Sequence, residues 1–143
     1  MKTFGHVFSL AVGSLLLACV LPFDSSLAAS DCPAGSEVIS KVELYFGLDI
    51  PGGGRVKPSA WQTFVEEKVT PKFPNGLTIY KALGQWQDEQ TGETIQEPSR
   101  VLVILYEPSA EAERNIQEIR TAYKEQFHQD SVIRLNEMAC VSF

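Results

Sequence analysis

The sequence predicts an α+β sandwich, an antiparallel four-stranded sheet with two helices on one face. Three segments point to it. Lys41 to Phe46 alternates polar and apolar residues. Val101 to Tyr106 is apolar without a break, and Ala112 to Phe127 carries a helical stripe.

The first strand is the period-two segment. Val42, Leu44 and Phe46 share one side, and Lys41, Glu43 and Tyr45 the other, the pattern of a half-buried strand. A helix follows at Pro58, where Ser59 and Gln62 have the spacing of a capping box. Its stripe is Trp61, Phe64, Val65 and Val69. Thr70-Pro71 and Phe73-Pro74 stop it, because a residue before proline avoids the α region. Asn75-Gly76 turns the chain into a second strand, Leu77 to Leu83.

Asp88 to Glu93, with Gly92, reads as a hairpin tip. The strand after it breaks at Pro98 and resumes as Val101-Leu102-Val103-Ile104-Leu105-Tyr106. A run apolar on both sides belongs to a strand covered on both faces. Ser109 is placed to cap the second helix, whose stripe is Ala112, Ile116, Ile119, Tyr123 and Phe127. Ser131 to Leu135 and Ala139 to Phe143 form the last strand, interrupted around Asn136.

The order β-α-β-β-α-β, with right-handed connections, is that of a ferredoxin-like sandwich with spatial strand order 4-1-3-2. That topology sets the end of the last strand beside the start of the first. Cys140 then lies next to Cys32, and a disulfide between them is expected.

Residues 1–29 read as a signal peptide and 32–143 as a single domain. Lys2 supplies a positive charge, Val7 to Leu21 an apolar run, Pro22 a helix breaker and Ser25 to Ser30 small residues for cleavage. The run falls short of the about 20 apolar residues a membrane span needs. Leu16-Leu17-Ala18-Cys19 resembles a lipobox, in which Cys19 would be lipidated, but the apolar Val20-Leu21 after it favours ordinary cleavage near Ser30. Export, to the periplasm or as a lipid-anchored envelope protein, suits a disulfide. Membrane attachment is expected only with lipidation.

Twelve basic against 18 acidic side chains give a net charge of −6, and losing Lys2 and Asp24 with the leader leaves it unchanged. An acidic surface argues against nucleic acid as a partner. Pro51-Gly52-Gly53-Gly54 lacks the Lys-Ser/Thr ending of a phosphate loop and reads as a plain connection. Neither a metal motif nor a cofactor fingerprint is present, and no cofactor is expected. His128, just after the second helical stripe, suits the helix dipole better than catalysis.

Leu44-Tyr45-Phe46-Gly47, Thr70-Pro71-Lys72-Phe73-Pro74-Asn75-Gly76-Leu77-Thr78, Gly84-Gln85-Trp86, Ala122-Tyr123-Lys124 and Ala139-Cys140-Val141-Ser142-Phe143 together resemble one family. It is the domain-of-unknown-function family numbered 3574, small exported bacterial proteins. The resemblance spans Cys32 to Phe143 and implies a single exported domain, with no assigned catalytic residue or cofactor.

The sheet face turned away from the helices is the expected place for function. Glu43 and Tyr45 lie there, with either Leu102, Ile104 and Tyr106 or Val101, Val103 and Leu105 beside them. Trp86 follows late in the second strand, outside any helical stripe. Glu43, Tyr45, Trp86 and Tyr106 are the candidate ligand or partner surface. Two readings follow. One is a non-catalytic binding or interaction module of the cell envelope, its apolar sheet face covered by a homodimer or by the hairpin that carries Trp86 folding back. The other is a small enzyme or small-molecule binder of the dimeric α/β-barrel kind, with Glu43, Tyr45 and Tyr106 lining a pocket between sheets.

Overall fold

A computed structural model describes residues 32–143. The leader and Cys19 lie outside the described residues. The elements are β1 (Glu37–Gly47), α1 (Pro58–Phe64) continued by a π-helical turn (Val65–Val69), β2 (Thr78–Gln87), β3 (Thr94–Tyr106), α2 (Ala110–Phe127) and β4 (Ile133–Val141). The four strands form one antiparallel sheet in the order β2-β3-β1-β4. This is the expected ferredoxin-like arrangement, with α1 and α2 packed on one face.

Val42, Leu44 and Phe46 of β1 are fully buried under the helices. The register sets Ile104 opposite Val42 and Leu102 opposite Leu44, so Leu102, Ile104 and Tyr106 complete that side of the core. Both helical stripes face it, and every stripe residue read from the sequence is buried. Ser109 caps α2 as expected, its Oγ accepting from the Ala112 N–H at 3.0 Å. Phe46 sits among Tyr123, Trp61 and Phe64, with ring centroids at 4.7, 5.1 and 6.1 Å. The buried Tyr123 hydroxyl donates to the Gly47 carbonyl at 2.7 Å.

Four local expectations change. The capping box at Ser59 does not form. Pro58 takes the first helical position, Lys57 becomes the N-cap, and no side chain caps the helix. Proline's fixed φ favours that position and places Ser59 inside the first turn. Strand β2 runs four residues past Leu83, because the hairpin strands pair all the way to Gln87 and Thr94. Strand β3 passes through Pro98 unbroken. The Pro98 carbonyl accepts from the Leu48 N–H, so its amide edge points to the β1 side, where the β1 ladder has already ended at Gly47. A missing donor there removes no ladder bond. Strand β4 likewise continues through Asn136, which lies opposite Val42 in an unbroken register from Val141 to Ile133.

Much of the TPKFPNGLT stretch closes the end of the first helix. The Thr70 N–H donates to the Val65 carbonyl at 2.9 Å, the i+5 bond of a π turn. Phe73 packs edge-on against Tyr106 at 6.2 Å, Lys72 pairs with Glu118 of α2, and Gly76 takes φ +132° to turn into β2. Gly47 serves a close approach instead. A Cβ there would meet the Glu97 carboxylate at 2.5 Å, the same carboxylate that accepts from the Asp49 N–H.

Cys32 and Cys140 are bonded, with Cα atoms 5.5 Å apart and a sequence separation of 108. The bridge ties the lead-in to β1 to the end of β4, the two places the topology brings together.

His128 caps α2 at φ +54°, the one non-glycine residue with positive φ among those described. A left-handed cap favours glycine, since a Cβ there crowds the following carbonyl. His128→Gly is therefore expected to raise stability by about 1 kcal/mol in urea melts. An unchanged or lowered midpoint would mean that the exposed imidazole contributes more than the strain costs.

Candidate functional site: the uncovered sheet face

The face opposite the helices carries the odd-numbered residues of β1, β3 and β4 and the even-numbered residues of β2. The pairs Glu43–Val103, Tyr45–Val101, Tyr80–Val101, Trp86–Ile95 and Glu43–Leu135 establish this. No described segment lies over it.

A polar track runs along β1 and onto β4. The Lys41 Nζ lies 2.7 Å from Glu43 and 2.5 Å from Glu137, and the Tyr45 hydroxyl donates to Glu43 at 2.5 Å. The hydrogen bond from Lys41 holds the Glu43 carboxyl below the usual carboxylate range, and Tyr45 adds to this. Glu137 first, then Glu43, raises the Lys41 ammonium. Accepting from Tyr45, Glu43 raises the phenol. A depressed carboxylate stabilises the fold above its ordinary pKa, and that contribution is lost as pH falls through the folded value. Glu43 is therefore built to stay ionised, the opposite of a group holding a proton for acid catalysis.

Apolar side chains flank the track. Val101 is covered by its neighbours and Val103 is half-buried. Leu105, Leu135, Tyr80 and Ile133 are 39, 42, 56 and 63 % exposed. Beyond the end of β1, the β2–β3 hairpin continues as a two-stranded ribbon, with Trp86 and Ile95 paired on the same face and both exposed. Trp86 thus extends this surface outward and does not fold back over it.

Tyr106 lies elsewhere. Its pairing with Ser40 puts it on the helix face, buried against Phe73, with its hydroxyl donating to Glu113 at 3.2 Å. Burial, then the Glu113 carboxylate, pushes its phenol up. Of the four surface residues read from the sequence, Glu43 and Tyr45 meet, Trp86 shares their face at a distance, and Tyr106 is across the sheet. Lying on opposite faces of the sheet, Tyr106 and the Glu43–Tyr45 pair cannot line one pocket within this chain.

Lys41, Tyr80, Leu135 and Glu137 also belong to the surface, although the sequence reading does not single them out. The alternation Thr78-Tyr80-Ala82-Gly84-Trp86 in β2 is a signal that could have pointed to Tyr80. The β4 residues are hidden in a strand whose sequence reads as broken. Among the described residues, no group of three or more His, Cys, Asp or Glu is placed to hold a metal ion. No described helix is long and apolar enough to cross a membrane.

A four-stranded antiparallel sheet, two helices on one side and a bare face on the other define an α+β sandwich of the ferredoxin-like type. Within that class the chain belongs to the family DUF3574, proteins of unknown function, whose model matches residues 41–143. No curated protein sequence matches it. Among solved structures, it resembles a phage SAM lyase in complex with S-methyl-5'-thioadenosine at 12 % identity and TM-score 0.55, covering 81 % of this chain and 96 % of that one. The apo form of a phage SAM lyase gives 15 % identity and TM-score 0.51, with 76 % and 91 % covered. A PII-like signalling protein from Thermus thermophilus gives 18 % identity and TM-score 0.44, with 75 % and 92 % covered. At these identities the likeness is one of fold.

Proposed function

We propose that this protein is an exported, non-catalytic interaction module of the bacterial envelope, and that its uncovered sheet face pairs with a second copy of the chain. The carrying observation is the apolar surface of Tyr80, Leu105, Ile133 and Leu135 around a charge track that is already paired within the chain. Exposed apolar patches of this kind mark interaction sites. Burying a charge that has no partner carries a high desolvation cost. Here Lys41 bridges Glu43 and Glu137, and Tyr45 donates to Glu43. A partner sheet can therefore cover Lys41 and Glu43 as a neutral pair, while the one excess negative charge, on the half-exposed Glu137 of edge strand β4, stays at the wet rim. A second copy presents the same apolar residues, and sheets pack face to face about 10 Å apart. The pocket-enzyme alternative needs Tyr106 beside Glu43 and Tyr45, and Tyr106 lies across the sheet.

Light scattering tests the proposal. Wild-type protein is expected at twice the monomer mass, and Leu135→Asp or Tyr80→Asp at the monomer mass. Both positions are exposed in the single chain, so their helical content should stay unchanged. Wild type that remains monomeric at about 100 μM, well above the range of a specific dimer, would overturn the pairing.

Export rests on the leader and on the Cys32–Cys140 bridge, which suits an oxidising compartment. Residues 1–29 are proposed to be cleaved, leaving 32–143 as the working domain, free in the periplasm. Cells labelled with a fatty-acid analogue are expected to show no label on this protein. Label that vanishes in Cys19→Ala would establish a lipid anchor instead.

A further inference from the structure

The helices do not cover all of their own side of the sheet. Strand β2 is exposed along nearly its whole length, and an open groove of about 350 Å³ runs between it and α1. Pro58, Trp61, Val65 and Ile79 form its apolar walls, with Gln62 and Glu66 on the helix side and Lys81 and Arg100 on the sheet side.

We propose that this groove binds an amphipathic organic carboxylate, its headgroup on Lys81 and Arg100 and its apolar body on Trp61, Val65 and Ile79. Three observations support it independently of the sheet face. First, Lys81 and Arg100 are directly opposite each other in the β2–β3 register. Like charges in that position repel, and a fold keeps them at a cost. Second, neither forms an ion pair among the described residues. The half-buried Arg100 guanidinium donates only to the carbonyl of adjacent Ser99, at 3.1 Å. Among the other half-buried arginines, Arg134 has a carboxylate partner, as do the half-buried Lys41 and Lys72. Arg120, without one, is held instead by the Val132 carbonyl from outside its own turn and by Gln117, whereas Arg100 has neither kind of anchor. An anion entering the groove would meet two free donors whose mutual repulsion it relieves.

Third, the helix wall is irregular where it meets the groove. Val65 and Glu66 belong to the π-helical turn, in which the Thr70 N–H reaches back five residues to the Val65 carbonyl. Such turns are rare and concentrate at functional sites, since the wider turn displaces side chains from their α-helical positions. Glu66 is held by Gln62, whose Nε2 donates to it at 2.9 Å. It keeps an acidic wall facing the two cations and opposes a second negative charge. The groove therefore suits a single carboxylate with an aliphatic or aromatic body, and not a polyanion.

The test uses disulfide-bonded mature protein carrying Trp86→Phe, which leaves Trp61 as the sole tryptophan, at low ionic strength. Octanoate, octanol and octylammonium are titrated, read by Trp61 emission and by calorimetry. Octanoate is expected to bind at least about tenfold more tightly than octanol, the yield of one charge-assisted hydrogen bond. Octylammonium is expected to bind more weakly than octanol. Arg100→Gln and Lys81→Gln are each expected to remove the octanoate advantage and leave octanol unchanged. Glu66→Gln is expected to tighten octanoate. Thermal melts confirm folding, and Lys81→Gln, at an exposed site, serves if Arg100→Gln melts early. The proposal is overturned if octanoate binds no better than octanol, or if its affinity survives in the folded Lys81→Gln and Arg100→Gln proteins.

Discussion

Phe46→Ala is expected to destabilise the domain by about 3–5 kcal/mol, the usual cost of removing a buried aromatic ring. Phe46 is fully buried at the point where β1 meets both helices, in edge-on contact with Trp61, Phe64 and Tyr123. Three rings around the void cannot collapse into it without losing their own packing. The loss therefore includes the cavity as well as the transfer of the ring. Phe46→Leu keeps most of the volume and is expected to cost less than about 1.5 kcal/mol. Urea melting at constant m-value measures both. A cost for Phe46→Ala below that of Phe46→Leu would mean that the cluster does not hold β1 to the helices.

Opening the Cys32–Cys140 bond, by Cys32→Ser with Cys140→Ser, is expected to cost about 2–5 kcal/mol. The bridge spans 108 positions, so most of its effect falls on the unfolded chain, whose freedom it restricts. Strand β4 lies at the sheet edge and pairs only with β1, so losing the tie at Cys140 should also raise hydrogen exchange from Ala139 to Val141. Reductant should lower the melting midpoint of wild type and leave the double variant unmoved. A wild-type midpoint indifferent to reductant would show that the bond contributes nothing to stability.

These two effects also mark what the chain made legible. The alternation Val42-Leu44-Phe46 and the stripe Ala112, Ile116, Ile119, Tyr123, Phe127 each follow a period set by local backbone geometry. They could be read without knowing any partner, and both are buried. Element order followed, and with it the strand order and the meeting of Cys32 with Cys140. Pro98 and Asn136 read as breaks because proline and asparagine disfavour strands as single residues. In the sheet, Pro98 removes no ladder bond and Asn136 is carried by a long register with β1. The candidate surface was half legible for the same reason. Glu43 and Tyr45 followed from alternation, whereas Tyr80, Leu135 and Glu137 depend on neighbouring strands.

By itself, then, the sequence determined the secondary elements, their order, the two helical stripes and the cysteine pairing. All of these follow from short-range periodicity combined with a topology that has few alternatives. Only the tertiary structure decided which side of Val101–Tyr106 meets the helices. Both sides of that strand are apolar, so its periodicity holds no preference. The choice comes from pairing Ile104 with Val42 across the sheet, which sends Tyr106 inward and leaves Val103 and Leu105 on the open face. The same is true of the groove beside β2. Lys81 and Arg100 are 19 positions apart in the chain and become neighbours only through the hairpin register, a non-local contact that no local pattern encodes.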